Sequence, residues 1–336
     1  MVTDKPRHVR GLRAAAAISN RVKSALCSNR PWHRRVSCSR TAATQPTLNY
    51  HVTRGGFFND NRRFGPASVL GDFTVGEVSM PGLPPEDELQ DEVLLAEVRD
   101  AFGVIRVVQI GAYRFLEFGD AIEQSCVFQG DPSWLEYDYT RAMLLGALCH
   151  DAPETALFLG LGAGNLTQAC LKFLPLEDVE AIELRPDVPR LAMEFLGLDD
   201  DPRLTIRIGD ATELLDSAET ADLIFLDLYT DQGPGVGHLA WRFLDRCREK
   251  LNPGGWLIIN QWAGNDGKPL GAALLRGLYH RHYWECPVKE GNVVLLIPAD
   301  LDQRLNMGRL QVRAGELAPR LGYSLQPLIE ALRPAT

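Results

Sequence analysis

Long apolar runs and paired cysteines are both missing from this chain of 336 residues. No stretch of 18 consecutive apolar residues occurs, so we expect no membrane-spanning helix. The seven cysteines form no C-x-x-C pair, and their odd number and scattered positions favour free thiols in a reducing compartment. We therefore expect a cytoplasmic protein that does not associate with a membrane.

Metal-ligand spacing is missing as well. His280 and His282 lie near Cys286, but an H-x-H pair on a predicted helix directs its two rings apart. These side chains suit a surface or partly buried position, and we expect no metal site.

Basic charge is scarce outside the first fifty residues. Residues 1–50 contain ten of the 35 Lys and Arg residues but one of the 44 acidic residues, Asp4, so the remainder carries a net charge of about −18. This balance excludes the basic footprint of a nucleic-acid-binding domain. It favours small cationic ligands such as amines and polyamines, although an acidic surface also simply keeps a protein soluble.

Residues 1–90 show no pattern of a folded segment. Their first part is rich in Arg, Ser and Ala, and their second part is rich in Pro and Gly. An organellar transit peptide and a disordered basic tail both have the first composition, and an upstream start codon would explain it as well. We assign no fold to this region.

Residues 91–150 are predicted to form a small β-unit followed by a linking helix over 135–149. Residues 92–102 suit a short helix that ends at Gly103. Three predicted strands come next, and Gly111-Ala112 between the first two is a hairpin signal. These strands are expected at 105–110, 113–118 and 121–129.

Residues 151–300 alternate between short apolar runs and helical periods. The strands are predicted at 156–160, 179–183, 204–208, 223–227 and 256–260. The helices between them are predicted at 166–173, 188–196, 211–215 and 239–251. Segments 283–288 and 292–297 suit a closing antiparallel hairpin, and 301–336 suits short helices. The pattern predicts an α/β fold with a Rossmann-like, seven-stranded methyltransferase-type sheet behind the small N-terminal β-unit.

A glycine loop and three acidic residues mark a nucleoside site in this sheet. The apolar run 157–159 ends in a G-x-G-x-G loop made by Gly160, Gly162 and Gly164. Acidic residues then lie at three later strand ends, namely Glu183, Asp210 and Asp227. Glycines let the backbone approach a ligand closely, and carboxylates at the carboxyl ends of parallel strands accept hydrogen bonds from ribose and adenine. S-adenosylmethionine or a relative fits this series.

A dinucleotide site is the competing interpretation of the same glycines. Its fingerprint is G-x-G-x-x-G, whereas here the third glycine comes one residue early and Asn165 takes the usual place. Glu183 suits either nucleotide. Asp210 and Asp227 favour the S-adenosylmethionine type, because a dinucleotide does not need acids at the next two strand ends.

The chain resembles the spermidine synthase family of polyamine aminopropyltransferases over roughly residues 105–298. The resemblance is carried by Gln124, Tyr139, the glycine loop and four further segments. These segments are Ala181-Ile182-Glu183-Leu184, Gly209-Asp210-Ala211, Asp222 to Tyr229 and Asn252-Pro253-Gly254-Gly255. The family also places a small N-terminal β-unit before an open α/β domain.

The resemblance implies a function and a co-substrate. The expected reaction moves an aminopropyl group from decarboxylated S-adenosylmethionine to a polyamine such as putrescine. The sulfonium of that donor is already an activated leaving group, so the enzyme needs no nucleophile of its own. It has to align the amine and remove its proton. A homodimer is implied as well.

The resemblance also implies the roles of individual residues. Glu183 binds the ribose hydroxyls, Asp210 with the Ala211 backbone contacts the adenine, and Gln124 contacts the nucleoside. Asp227 accepts a proton from the attacking amine, and Tyr139 places that amine. Tyr229 and Asp231 are expected to contact the substrate.

Three departures from the family pattern keep other functions open. Ala163 stands where the family loop has an aspartate that holds the amine of the donor. After Tyr139 the family pattern continues with His or Gln and then Glu, whereas this chain has Thr140-Arg141. The family has an acid three residues after the position of Asp227, whereas Asp231 lies four residues after it. Arg141 could pair with a carboxylate, since arginine favours bidentate carboxylate geometry. S-adenosylmethionine itself would then be the donor in a methyl transfer. A non-catalytic nucleoside-binding relative is the third alternative.

Overall fold

The computed structural model describes residues 91–119, 122–230, 233–234 and 239–335. The predictions for residues 1–90 and for Asp231 lie outside the described residues. No helix in the described ranges is both long and apolar enough to cross a lipid bilayer.

The N-terminal unit is an antiparallel sheet of four strands in the order β1-β2-β3-β4. Its strands are β1 (Glu92–Asp100), β2 (Gly103–Ile110), β3 (Tyr113–Phe118) and β4 (Ile122–Phe128). The predicted hairpin and third strand are confirmed. The helix predicted for 92–102 is wrong, because this segment pairs with β2 along its whole length. A register shift between Leu94 and Ala96 interrupts the alternation of β1, which removes the pattern that identifies a strand.

The main sheet has eight strands in the order β14-β12-β13-β11-β8-β5-β6-β7. Its parallel strands are β5 (Thr155–Leu159), β6 (Asp178–Glu183), β7 (Leu204–Ile208), β8 (Ala221–Leu226) and β11 (Leu251–Trp262). They pair in parallel, whereas β12 (Trp284–Pro287) and β13 (Asn292–Pro298) are antiparallel. This is the predicted methyltransferase-type sheet. The eighth strand, β14 (Arg333–Pro334), adds one short edge beyond the predicted seven.

Two short strands, β9 (Tyr229–Thr230) and β10 (Gly233–Pro234), pair separately after β8. The helices are α1 (Asp138–Ala147), α2 (Asn165–Phe173), α3 (Asp187–Leu191), α4 (Ala211–Leu214), α5 (Trp241–Glu249), α6 (Ala272–Tyr279), α7 (Met307–Leu321) and α8 (Gln326–Ala331). The sequence pattern missed α6. This helix ends before His280, which has a left-handed backbone with φ of 50°, so the H-x-H pair does not lie on a helix.

Helices cover both faces of the main sheet, and successive strand residues contribute to opposite faces. Ile258 belongs to the apolar core beneath α1, α2, α7 and α8, whereas Ile259 belongs to the core beneath α5 and α6. Phe158 and Phe225 stack on neighbouring strands with ring centroids 4.4 Å apart. The inner strands β5, β8 and β11 are therefore buried on both sides, which explains their almost unbroken apolar runs.

Backbone hydrogen bonds hold three strand ends in register. The Asp227 amide donates to the Leu159 carbonyl at 3.0 Å, and the Gly160 amide donates to the Ile182 carbonyl at 2.9 Å. The Gly209 amide donates to the Glu183 carbonyl at 2.9 Å. The glycine loop and the acidic strand ends thus meet at one edge of the sheet, where ligands bind in open α/β folds.

Candidate active site

The glycine loop follows β5 and requires glycine at the points of closest approach. Gly160 has φ of +96°, and a Cβ there would overlap with the backbone carbonyl of Asp227. A Cβ at Gly162 would lie 2.8 Å from the Ser125 hydroxyl oxygen. Gly164 has φ of +77° and precedes the first residue of α2. A side chain at the first two positions would displace either the end of β8 or β4.

Strand β4 closes over this loop. The Ala163 amide donates to Ser125 Oγ at 3.2 Å, and Asn165 Nδ2 donates to the Cys126 carbonyl at 3.3 Å. Ala163 has 0% of its surface exposed. The position of the family's loop acid is therefore an apolar, covered site in this chain, and no side-chain anion is presented from it.

Glu183 ends β6 directly beside the glycine loop. Its Oε2 accepts a hydrogen bond from the Leu161 amide at 3.1 Å, and its Oε1 accepts one from the Arg185 amide at 3.0 Å. Burial raises the pKa of the Glu183 carboxyl, and the backbone amides oppose this shift. Two carboxylate oxygens hold about four lone-pair sites, so acceptor capacity remains for ligand hydroxyls.

Asp210 caps helix α4, a role that the sequence pattern did not reveal. Its Oδ1 accepts hydrogen bonds from the Thr212 amide and from Thr212 Oγ1, each at 2.7 Å. The cap satisfies a backbone amide that the first helical turn leaves open. Ala211, the first residue of the helix, is buried. Among the described residues, nothing donates to Asp210 Oδ2.

Asp227 lies one residue beyond β8 and has a pKa near neutrality. Asn260 Nδ2 donates to Asp227 Oδ1 at 2.8 Å, and Asn292 Nδ2 donates to Asn260 Oδ1 at 2.9 Å. Burial raises the pKa of the Asp227 carboxyl to about 6, and the Asn260 hydrogen bond partly opposes this rise. A carboxylate with this pKa is matched to proton transfer near neutral pH.

Two of the predicted tyrosines lie within electrostatic range of Asp227. Burial, followed by the charge of Asp227, raises the pKa of the Tyr139 phenol well above its usual value, so these two residues act on each other electrostatically. The Tyr139 ring stacks on Tyr137 with centroids 5.8 Å apart. The Tyr229 hydroxyl donates to the Asn260 carbonyl at 3.1 Å. Tyr229 therefore supports the strand that carries Asn260.

Gln124 lies where the pairing of β3 with β4 changes register. Leu116 pairs with Ser125 and Glu117 pairs with Glu123, so Gln124 is the extra residue of a bulge. Bulges often redirect side chains next to active sites. Gln124 is therefore next to Ser125, which contacts the glycine loop.

Arg141 is engaged by other groups of the protein. Its Nε donates to the Leu135 carbonyl at 2.7 Å, and its Nη1 lies 3.4 Å from Asp138 Oδ1. Its guanidinium stacks 4.2 Å from the ring centroid of Tyr323 and 5.6 Å from that of Trp134. These contacts occupy Arg141 with protein groups, and the geometry gives no support to the carboxylate-binding role considered from the sequence.

Asn260, Gln261 and Asn292 are polar residues of this region that the motif search missed. Asn260 and Gln261 are 4% and 3% exposed, and Gln261 Oε1 is buried without a hydrogen bond from the described residues. Both follow the apolar run 256–259, which is the same pattern that identified Asp227 after its own strand. The same signal would therefore have found Asn260 and Gln261.

Comparison with known proteins agrees with this arrangement of strand ends. Residues 137–264 match the Spermine/spermidine synthase domain. The chain is 25% identical over 244 residues to a polyamine aminopropyltransferase of Chromobacterium violaceum, a match that covers 70% of this chain and 91% of that protein.

Further relatives and solved structures point the same way. A polyamine aminopropyltransferase of Nitrosomonas europaea is 30% identical over 223 residues, covering 63% of this chain and 65% of that protein. The crystal structure of spermidine synthase from Thermotoga maritima has a TM-score of 0.55 at 15% identity, covering 71% of this chain and 83% of that chain. A spermidine synthase in complex with the transition state analogue AdoDATO has a TM-score of 0.52 at 15% identity, covering 68% of this chain and 88% of that chain. At these identities the structures show a shared fold.

Proposed function

We propose that this protein transfers an aminopropyl group from decarboxylated S-adenosylmethionine to a small amine such as putrescine, with Asp227 as the base. The carrying observation is the position of Asp227. It follows β8, and its backbone carbonyl lies against Gly160 of the glycine loop. Asn260 Nδ2 donates to its Oδ1 at 2.8 Å, and its charge contributes to the raised pKa of Tyr139. The names of the similar aminopropyltransferases support the reaction class.

The proposed reaction is a single displacement. The amine nitrogen forms a bond to the aminopropyl carbon next to sulfur, and the carbon–sulfur bond breaks with its electron pair moving to sulfur. The sulfonium thereby becomes the neutral thioether methylthioadenosine. The proton of the attacking ammonium passes to Asp227, because a protonated nitrogen has no lone pair with which to attack. Tyr139 positions the amine, and alignment of the reactants supplies up to roughly 7–11 kcal/mol of the barrier.

The donor fits the strand ends that surround the glycine loop. Glu183 accepts hydrogen bonds from the ribose hydroxyls, while Asp210 and the Ala211 backbone contact the adenine. Gln124 contacts the nucleoside from the bulge in β4. Asp210 Oδ1 is already used by Thr212, so we assign the adenine contact to its Oδ2. The proposed catalysis uses no metal ion.

Methyl transfer from S-adenosylmethionine is the second candidate, and one observation favours it. Ala163 is covered and apolar, so the loop offers no carboxylate to the amine of a decarboxylated donor. The charges near Tyr139 favour aminopropyl transfer instead. Asp227, Glu123 and Glu290 all act electrostatically on this phenol, and an acidic pocket attracts amines and repels the carboxylate of the parent donor.

A product assay distinguishes these functions. The purified full chain is incubated with putrescine and either donor, and the products are identified by mass spectrometry. We expect spermidine and methylthioadenosine from the decarboxylated donor, and neither product with Asp227→Asn at the same enzyme concentration. Formation of S-adenosylhomocysteine from the parent donor would indicate methyl transfer. Nucleoside binding without any product would indicate a non-catalytic relative.

The remaining proposals concern the setting of the enzyme. We propose a cytoplasmic protein whose partners are small amines or polyamines, together with a homodimeric state. Sedimentation analysis of the full chain tests the dimer directly. A monomer at micromolar concentration would contradict it.

A further inference from the structure

An ion pair between Arg185 and Asp100 joins the two sheets of the protein. Arg185 lies in the turn that follows β6, and Asp100 is the last residue of β1. Arg185 Nε donates to Asp100 Oδ2 at 2.8 Å, and Arg185 Nη2 donates to Asp100 Oδ1 at 2.8 Å. Two parallel contacts of this kind fix the orientation of the guanidinium as well as its position.

This ion pair is buried, with 6% of the Arg185 side chain and 11% of the Asp100 side chain exposed. Arg185 Nη2 also donates to the Gly103 carbonyl at 3.0 Å, and its guanidinium lies 4.4 Å from the centroid of the Phe118 ring. Burial alone would raise the pKa of Asp100, but the Arg185 hydrogen bond and charge hold that pKa below its usual value. Apolar residues of similar volume often stabilise a core as well as a buried ion pair does, so this pair stands out for its fixed geometry.

The backbone of Arg185 binds the carboxylate of Glu183. The Arg185 amide donates to Glu183 Oε1 at 3.0 Å, while the Leu161 amide of the glycine loop donates to Glu183 Oε2 at 3.1 Å. Arg185 therefore holds Glu183 with its amide and the N-terminal sheet with its guanidinium. The direction of the Glu183 carboxylate depends on where the turn after β6 is held.

The glycine loop is attached to the N-terminal sheet as well. The Ala163 amide, two residues after Leu161, donates to Ser125 Oγ on β4 at 3.2 Å. Both backbone segments that donate to the Glu183 carboxylate are thus anchored to the same four-stranded sheet.

We propose that Arg185 is a positioning residue that, anchored by Asp100, directs the Glu183 carboxylate towards the ribose hydroxyls of the bound nucleoside. This inference rests on the nucleoside-binding part of the proposed function and goes beyond it, because it gives the N-terminal sheet a part in donor recognition. Arg185 does not contact the ligand itself. Its effect is therefore confined to the ligand groups that Glu183 binds, which are the two ribose hydroxyls.

Two nucleosides that differ only in these hydroxyls test the proposal without requiring turnover. Calorimetry measures the Kd of adenosine and of 2′,3′-dideoxyadenosine for the full chain. We expect the unmodified chain to bind adenosine at least about 10-fold more tightly, as for a charge-assisted hydrogen bond. Arg185→Met keeps an apolar stem over Phe118 but removes the ion pair, and it should reduce this preference to less than about 3-fold.

A second variant separates the position of Glu183 from the cost of an unpaired Asp100. Arg185→Met combined with Asp100→Asn removes both charges and keeps an oxygen for the Phe102 amide, which donates to Asp100 Oδ1 at 2.8 Å. Removing both charges avoids the penalty of a lone buried charge, so we expect thermal unfolding closer to that of the unmodified chain than in Arg185→Met. The adenosine preference should stay reduced, and a full preference in this double variant would overturn the proposal.

A double-mutant cycle with Glu183→Ala distinguishes positioning from a general loss of structure. Because Arg185 acts through Glu183, Arg185→Met in the Glu183→Ala background should change the Kd of adenosine by less than about 2-fold. An equal loss of adenosine affinity in both backgrounds, or an equal loss for both nucleosides, would overturn the proposal.

Arg190→Met is the matched control from the same segment. Arg190 lies on α3, where its side chain is 51% exposed and its Nη2 lies 2.7 Å from Asp187 Oδ1. We expect this variant to keep the full adenosine preference. A loss as large as that in Arg185→Met would reduce the result to the absence of any nearby arginine and overturn the proposal.

The outcomes separate this proposal from the proposed function. A hydroxyl preference that depends on Arg185 supports the proposal even when no aminopropyl product forms, in which case the proposed reaction fails alone. Aminopropyl transfer with an unchanged hydroxyl preference in Arg185→Met overturns the proposal and leaves the function in place. Equal affinities of the unmodified chain for both nucleosides also overturn it.

Discussion

Asn260 donates from its side-chain amide to Asp227 Oδ1 at 2.8 Å, while Asn292 donates to the Asn260 side-chain oxygen at 2.9 Å. The second bond orients the Asn260 amide, because its oxygen is engaged and its nitrogen must face Asp227. Three strands, β13, β11 and the end of β8, thereby fix one carboxylate oxygen. Among the described residues, nothing donates to Asp227 Oδ2, so the proposed mechanism assigns the proton of the acceptor to this oxygen.

Asp227→Asn should remove the proposed base while preserving the fold. The variant keeps an oxygen that accepts the Asn260 hydrogen bond, but an amide does not take the proton of the attacking ammonium. We expect turnover at least ~10²-fold slower with unchanged nucleoside affinity. Steady-state kinetics and calorimetry measure the two quantities. Near-normal turnover would remove Asp227 from the mechanism.

The pH dependence of the rate should report Asp227. Its pKa is raised to about 6, and the base must be deprotonated, so we expect kcat to increase as the pH rises through about 6. Asn260→Ala removes the hydrogen bond that stabilises the charged form, which raises the pKa of Asp227 further. The acidic limb of the kcat profile should therefore move to higher pH by roughly one unit.

Asn252→Ala is the control for that shift. Asn252 Nδ2 donates to Asp222 Oδ1 at 2.9 Å between the same two strands, but near the opposite end of the sheet. Loss of this hydrogen bond should lower the free energy of unfolding without shifting the pH profile of kcat. A profile that moves equally in both variants would show that the limb does not report Asp227.

Glu183→Ala should weaken nucleoside binding in either enzymatic interpretation. The carboxylate lies against the glycine loop, where it accepts the Leu161 amide at 3.1 Å. We expect methylthioadenosine affinity to fall by roughly 10-fold or more, because charged hydrogen bonds contribute about 1.5–3 kcal/mol each. Glu180→Gln is the control, because Glu180 lies on the same strand as Glu183 but forms an ion pair with Arg207. Unchanged affinity in Glu183→Ala would place the ribose elsewhere.

Ala163→Asp should fail to restore the family's loop acid. The Ala163 side chain is covered, and its amide is bound to Ser125 Oγ, so an introduced carboxylate would be buried without a cation. We expect a loss of about 2 kcal/mol or more in unfolding free energy, with no gain in affinity for the decarboxylated donor. Ala163→Asn separates side-chain size from charge. Tighter donor binding by the Asp variant would contradict the covered geometry.

Much of the fold follows from local patterns that the sequence displays openly. The central strands are buried on both faces, so they occur as compact apolar runs such as 157–159 and 223–226. The glycine loop and the acids at the strand ends are adjacent to those runs, which is why Glu183 and Asp227 could be placed. Their spatial neighbours are another matter, since the Ser125–Ala163 contact joins residues 38 apart in the chain.

The failures come from strand pairing and from contacts between residues far apart in the chain. The bulge between Leu94 and Ala96 hides the alternation of β1, and pairing with β2 decides its conformation. Arg141 stands two residues after Tyr139, where the family pattern has Glu, and its guanidinium packs against Trp134 and Tyr323. Tyr323 lies on the segment after α7, far along the chain, and no local pattern predicts that contact.

A calorimetric comparison of the two donors tests the central claim most directly. The full chain is titrated with S-adenosylmethionine and with its decarboxylated form under identical conditions. Because the carboxyls of Asp227 and Glu290 act electrostatically on Tyr139 and would repel the carboxylate of the parent donor, we expect the decarboxylated donor to bind at least about 10-fold more tightly, a difference of about 1.4 kcal/mol. Tighter binding of the parent donor would contradict aminopropyl transfer and favour methyl transfer.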